Sequence, residues 1–278
     1  MINNISIQGY QASFHDIAAR DFFGDNTERT YCDTFASAFD ALKNDQSHYA
    51  LCAIENSLFG SINEVYDLVL KNQFYICGEV YLRVEQCLIG LPDTDLDSVT
   101  KVYSHPVALA QCDEYLNKNI PKAERLEYQD TATSVKMVKE LNDPSIVAIA
   151  SEEAAELYNM KILARSVETN KENYTRFIVL SKNDNADKKP NKTSIVISTN
   201  HVAGALYNAL GCFANRSLSL SKIQSRPIIG KAWHYMFYID IDTGINDKKC
   251  KDALAELNDQ GCKVTVLGSY RAAVGEWQ

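Results

Sequence analysis

Thr175 and Arg176 stand side by side in the stretch Glu172-Asn173-Tyr174-Thr175-Arg176-Phe177, at the head of the apolar run Phe177-Ile178-Val179-Leu180. A guanidinium there can hold a carboxylate through two parallel hydrogen bonds. A neighbouring hydroxyl can give a proton or a hydrogen bond to an oxygen of the same small molecule. The pair therefore suits an acidic metabolite. The plainer alternative is a strand start with one surface arginine, and a motif this short does not choose between them.

Other small polar groups fall where a strand gives way to a helix. Glu55-Asn56-Ser57-Leu58-Phe59-Gly60-Ser61 follows a strand, with Ser61 and Glu64 at capping-box spacing. Ser104-His105-Pro106 follows another, and Pro106 fits a first helical position. Gln129-Asp130-Thr131-Ala132-Thr133, Ser151 and Gln8-Gly9-Tyr10-Gln11-Ala12-Ser13 are further junctions of this kind. Each alone reads as a helix cap. In open α/β sheets, however, ligands bind at the carboxyl ends of strands, against helix N-termini. Several such junctions on one sheet edge would gather hydroxyls and backbone N–H groups around an anion, with Arg176 as the fixed charge. His105 before a proline reads as a cap or a packing residue, and Glu55 as an acid, a base or an orienting group. His15, His48, His201 and His234 form no triad pattern, and glycine-rich phosphate loops are absent.

The elements needed to position these groups are legible as alternating runs. Strands are expected at 5–7, 49–54, 99–103, 125–128 and 146–150, and helices at 13–23, 61–70, 107–117, 132–141 and 152–157. This alternation predicts an α/β domain with largely parallel pairing. The polar stretch 183–192, with its proline, reads as a linker between a first domain over 1–182 and a second over 193–278. The second domain reads as strand 194–198, helix 204–214, strands 219–223 and 235–241, helix 248–260 and strand 263–270. That order is the βαββαβ, ferredoxin-like unit.

Composition bounds the partners. The 278 residues carry a net charge of −8 and are 46% hydrophobic, which allows two packed cores and argues against a nucleic-acid backbone as ligand. No apolar run reaches membrane-spanning length, and the N-terminus shows no signal-peptide pattern. Eight cysteines lie mostly within apolar elements and form no Cys-x-x-Cys pair. They read as reduced core residues of a cytoplasmic protein, without ligand spacing for a metal.

Taken in order, these segments resemble the prephenate dehydratase family. The resemblance rests on Ile54-Glu55-Asn56-Ser57 with Gly60-Ser61, Ser104-His105-Pro106 with Ala108 to Cys112, Asp130-Thr131-Ala132, Ile149-Ala150-Ser151 with Ala154 to Tyr158, and Asn173 to Phe177. Gly204-Ala205-Leu206-Tyr207 and Gln224-Ser225-Arg226-Pro227 resemble motifs of the ACT regulatory domain of that family. The resemblance implies a first domain of two lobes, like a periplasmic binding protein, with the active site in the cleft and the chain leaving the first lobe near residue 80 and returning near 160. No helical segment for a fused chorismate mutase precedes the first strand, so a monofunctional enzyme is expected. The sequence departs from the pattern at His15, Val107, Ser219 and Gln224.

The implied reaction is the decarboxylating dehydration of prephenate to phenylpyruvate in phenylalanine biosynthesis, without cofactor or metal. Thr175 is the expected donor at the leaving hydroxyl. Arg176 would bind a substrate carboxylate or brace the loop from behind. Asn56, Ser57, Ser104, Gln111 and Thr131 would supply neutral donors, joined in the substrate site by Glu55, His105 and Asn173, with Phe177 packed beneath. Phenylalanine is the expected effector, at Gly204, Ala205, Leu206, Ser219, Gln224, Ser225, Arg226 and Pro227, in a homodimer or homotetramer. Arogenate dehydratase and a non-catalytic amino-acid sensor are the alternatives.

Overall fold

A computed structural model describes residues 4–184 and 189–274, which form three sheets. The first has strand order β2–β1–β3–β11–β5, with β4 alongside β3. It is made of β1 (Asn4–Gln8), β2 (Glu28–Cys32), β3 (Tyr49–Asn56), β4 (Gly60–Ser61), β5 (Tyr75–Arg83) and β11 (Tyr174–Ser181). The second, β10–β6–β9–β7–β8, uses β6 (Cys87–Gly90), β7 (Lys101–Ser104), β8 (Glu124–Glu127), β9 (Ile146–Ala150) and β10 (Lys161–Ala164). The chain thus leaves the first sheet after Arg83 and returns to it at Tyr174.

β1 pairs parallel with β2 and β3, and β7 with β8 and β9, whereas β6 runs antiparallel to both its neighbours. β9 is wholly buried, Ile-Val-Ala-Ile-Ala, as a strand covered on both faces must be. Apolar residues of α6 (Thr131–Leu141) and α7 (Glu152–Tyr158) pack on one of its faces, and those of α4 (Pro106–Gln111) and α5 (Asp113–Asn119) on the other.

The expected helix 107–117 is divided at Cys112, whose ψ of 10° leaves the helical range. The reason is tertiary: the Gln111 carbonyl accepts from the Thr169 N–H at 2.8 Å instead of from the next helical turn. The helix expected from Ser61 begins at Asn63, because Gly60 and Ser61 turn back to pair with Asn56 and Glu55.

Two compact units divide the chain: Met1–Ile62 with Val80–Phe177, and Asn63–Glu79 with Ile178–Gln278. This differs from the boundary read at the polar stretch. Within the second unit, specific contacts draw in α3 (Asn63–Asn72) and the start of β5. Lys192 and Glu79 form a buried ion pair at 2.6 Å, the Tyr238 hydroxyl donates to the Tyr66 carbonyl, and Arg226 pairs with Asp67. Of the expected linker, residues 185–188 lie outside the described residues, and Lys192 already begins β12.

The second unit carries β12 (Lys192–Ser198), α8 (Ala205–Ala214), β13 (Leu220–Pro227), β14 (Tyr235–Ile241), α9 (Lys248–Asp259) and β15 (Lys263–Tyr270), the βαββαβ order. Its antiparallel sheet, β13–β14–β12–β15, buries Ile195, Ile197, Ile239 and Ile241 against Phe213 and Leu257 of the two helices. Gly268 lies so close to Ile76 that an added Cβ would stand 2.0 Å from its carbonyl oxygen.

Candidate active site

Asn56, the last residue of β3, organises the site in the first unit. Its side-chain amide faces three acceptors: Asn173 Oδ1 at 2.8 Å, Thr175 Oγ1 at 3.0 Å and the Tyr174 carbonyl at 3.2 Å. Its Oδ1 accepts from the backbone N–H groups of Leu58 and Phe59, both at 3.0 Å, the Asx-type closure that suits asparagine to a turn. One side chain therefore fixes both the loop after β3 and the first residues of β11.

Asn173 is fully buried and joins three elements. It accepts from Asn56 and from Gln111 Nε2 (3.4 Å), donates to the Val84 carbonyl (3.3 Å), and its own carbonyl accepts from the Val84 N–H (2.7 Å). Gln111 in turn accepts from Gln86 Nε2 at 3.4 Å. Carboxamides thus run from Gln86 through Gln111, Asn173 and Asn56 to Thr175. Gln86 is buried, and its Oε1 has no partner among the described residues. The sequence reading passed over it, although a glutamine inside an otherwise apolar stretch was the available signal.

Thr175, Arg176 and Phe177 are all buried. Because a strand alternates its faces, Thr175 and Phe177 share one face of β11 and Arg176 takes the other. Its guanidinium carbon lies 5.9 Å from the centre of the Tyr81 ring. Threonine and arginine, adjacent in sequence, therefore do not converge on one point. Phe177 meets the His15 ring edge-on at 5.0 Å between centroids.

The remaining expected groups are distributed more widely. Ser57 exchanges hydrogen bonds with the backbone, donating to the Glu172 carbonyl (2.7 Å) and accepting from the Tyr174 N–H (2.9 Å). Glu55 is half-buried opposite Ser61. Ser104 is fully buried and donates to the Ile149 carbonyl at 2.6 Å, tying β7 to β9. His105 caps α4 from an exposed position, with Nδ1 accepting from the Val107 N–H. Partial desolvation of the ring lowers its pKa, opposed by the charges of Asp130 and Glu127. Thr131 is half-exposed in the first turn of α6, beside the cap Asp130. Burial raises the Asp130 pKa, opposed by the backbone N–H groups it caps.

Three loops meet there. The Ser151 hydroxyl donates to the Ala12 carbonyl (2.8 Å), Gln129 donates to the Tyr10 hydroxyl (3.4 Å), and a Cβ on Gly9 would stand 3.3 Å from Asp130 Oδ2. Gly9 has φ +100°, a conformation that glycine tolerates without strain. Among the described residues no cluster of three or more His, Cys, Asp or Glu is placed to hold a metal, and no helix is long and apolar enough to cross a membrane.

In the second unit, Ala205 and Leu206 line a cavity of about 360 Å³ together with Thr199, His201, His234 and Tyr235. Gly204 precedes them as the cap of α8 with φ +80°. Ser219, Gln224, Ser225, Arg226 and Pro227 are not among its lining residues. Pro227 sits in register with Tyr235, and Arg226 is committed to Asp67 at 2.5 Å.

A family model described as prephenate dehydratase matches residues 5–185. The chain is 35% identical over 270 residues to a bifunctional chorismate mutase/prephenate dehydratase of Aquifex aeolicus, covering 97% of this chain and 74% of that one. It is 36% identical over 291 residues to the chloroplastic arogenate dehydratase 5 of Arabidopsis thaliana, covering 98% and 68%. A prephenate dehydratase from Arthrobacter aurescens in complex with L-Phe shares the fold with a TM-score of 0.88 and 28% identity, over 96% of this chain and 89% of that one. A structure described as GqqA, a novel type of quorum quenching acylase, matches with a TM-score of 0.87 and 30% identity, over 97% and 98%.

Proposed function

The chain belongs to the prephenate dehydratase family, and from that membership we propose how its residues carry the reaction and its control. Its function is the decarboxylating dehydration of prephenate to phenylpyruvate. The product ring is aromatic, so the chemistry runs downhill, and the barrier lies in the departure of hydroxide. A donor at that hydroxyl lowers it, and such help is typically worth about 10²–10⁴-fold.

Thr175 is that donor. One observation carries the assignment: Asn56 donates into the Thr175 oxygen, and the threonine proton has no acceptor among the described residues. It is left to point at a ligand. Arg176, on the opposite face and over Tyr81, acts as a brace for β11. The carboxamides of Asn56, Gln111 and Asn173 keep the surroundings of the departing carboxylate neutral. An ion pair there would stabilise the ground state and oppose decarboxylation. Ser57 and Ser104 spend their hydroxyls on backbone groups and serve as supports. Glu55, His105 and Thr131 remain candidates for the substrate's outer edge, and Phe177 for its floor.

We assign the second unit's βαββαβ part to the ACT type and its 360 Å³ cavity at Ala205 and Leu206 to phenylalanine. The relative crystallised with L-Phe supports that choice of effector. Ser219 and Gln224 to Pro227 would complete the site across a homodimer or homotetramer. Eight free cysteines fit a cytoplasmic enzyme.

The match to an arogenate dehydratase gives arogenate a claim as substrate. The test is ultraviolet detection of product from prephenate and arogenate in parallel, with and without L-phenylalanine. Phenylpyruvate formed from prephenate, and suppressed by phenylalanine, is expected. Faster turnover of arogenate would transfer the assignment to that substrate. No turnover of either, with phenylalanine binding retained, would leave a sensor.

A further inference from the structure

His15 occupies the second position of α1 (Phe14–Phe23), the helix that follows β1. β1 covers β3 only as far as Leu51, so the N–H groups of β3 beyond that point lose their ladder partner on this side. The His15 ring fills the gap: its Nε2 accepts from the Ala53 N–H at 3.1 Å. An imidazole nitrogen that accepts carries no proton, so the neutral ring must hold its proton on Nδ1. Nδ1 has no partner among the described residues, and the residue is only partly covered. The ring stands at the carboxyl ends of β1 and β3, where an open α/β sheet receives its ligand. It also contacts Phe177, whose side chain shares a face of β11 with Thr175.

We propose that His15 is a substrate-binding donor of this site, its Nδ1–H held in place by the Ala53 bond and directed at an oxygen of the bound acid beside Thr175. The inference rests on the dehydratase reading for the identity of that acid, but not for the tautomer. Packing of the ring against Phe35 and Phe177 supports it: although the residue keeps part of its surface open, desolvation of the ring there lowers its pKa to about 3. The imidazole therefore stays neutral at physiological pH and offers a hydrogen bond without a charge, as the neighbouring carboxamides do.

Two isosteres separate this role from mere packing. In His15→Gln the amide oxygen reaches where Nε2 stood, keeping an acceptor for Ala53 but losing the donor at the Nδ1 position. In His15→Asn the amide nitrogen takes the Nδ1 position and the Ala53 bond is lost. The expected result is a Gln variant with near-native Tm and kcat/KM for prephenate lower by about tenfold or more, the scale of one lost hydrogen bond to a charged group. The Asn variant keeps a donor at the Nδ1 position but loses the Ala53 bond that holds it, so a lower Tm is expected, with kcat/KM between those of the Gln variant and wild type. A Gln variant as active as wild type, or an Asn variant as damaged as Gln, overturns the proposal. Nitrogen-15 spectra of the imidazole supply a readout independent of turnover. A protonated Nδ1 and no titration between pH 5 and 8 are expected. A proton on Nε2, or titration near 6.5, overturns the proposal. Wild type inactive on prephenate would count against the dehydratase reading alone, with the spectra still deciding the tautomer.

Discussion

A carboxamide has two hydrogens and one oxygen, and Asn56 turns all of them toward groups that matter to Thr175. Asn56→Asp is the sharpest test of that arrangement, because it changes one NH₂ to oxygen at constant shape. The Leu58 and Phe59 bonds survive, while a carboxylate oxygen is set against Asn173 Oδ1 and the Tyr174 carbonyl. We expect a loss of about 1–3 kcal/mol in stability by urea denaturation, the cost of unsatisfied buried groups, and a fall in kcat of about 100-fold or more. His15 makes a second prediction. Its folded pKa of about 3 lies below the unfolded value near 6.5. Between those values the unfolded chain binds the extra proton, so stability falls as pH drops through that window, with a limiting slope of about 1.4 kcal/mol per pH unit. His15→Gln should flatten that part of the acid limb, measured as the difference from wild type at pH 4.5, 5.5 and 6.5. Thr175 and Arg176 stood out as candidates from their types alone. Their separation onto opposite faces follows from strand alternation, which a reading of adjacency passes over. The hub role of Asn173 depends on Val84 and Gln111, 89 and 62 residues away, and no local pattern encodes it.

Elements explain why some expected donors bond to the backbone. Ser104 ends β7, and its hydroxyl is absorbed by the Ile149 carbonyl of β9. Ser104→Ala should therefore cost about 1–2 kcal/mol in stability and leave kcat/KM within about threefold. A large kinetic loss with unchanged Tm would return Ser104 to the substrate site. Strands with strong apolar runs, such as Ile146–Ala150, were legible, as were helices with caps such as Ser13 and Asp130. β2 was not, because Glu-Arg-Thr-Tyr-Cys is largely polar and only its last residue is buried. The break between α4 and α5 was hidden for a different reason. Its cause is the N–H of Thr169, which takes the Gln111 carbonyl from far along the chain. That break leaves Gln111 at a helix end, where its side chain reaches Asn173.

At the scale of the whole molecule, the parallel α/β part and the βαββαβ part were both visible in the order of elements. The grouping of Asn63–Glu79 with the C-terminal residues was not, because it rests on individual contacts such as Lys192 with Glu79. Breaking a buried pair from one side is costly, since it leaves the other charge facing a neutral group. Glu79→Gln is expected to destabilise the protein by about 3 kcal/mol or more in chemical denaturation, with little change in KM for prephenate. Above all, the proposed mechanism depends on a threonine proton with no acceptor among the described residues, which we assign to the hydroxyl that leaves prephenate. The most direct measurement is the steady-state rate of phenylpyruvate formation by wild type, Thr175→Ser and Thr175→Ala, each shown to be folded by circular dichroism. The account predicts turnover by wild type, substantial activity in the serine variant, and a fall of about 10²–10⁴-fold in kcat for alanine. An alanine variant within threefold of wild type would contradict it.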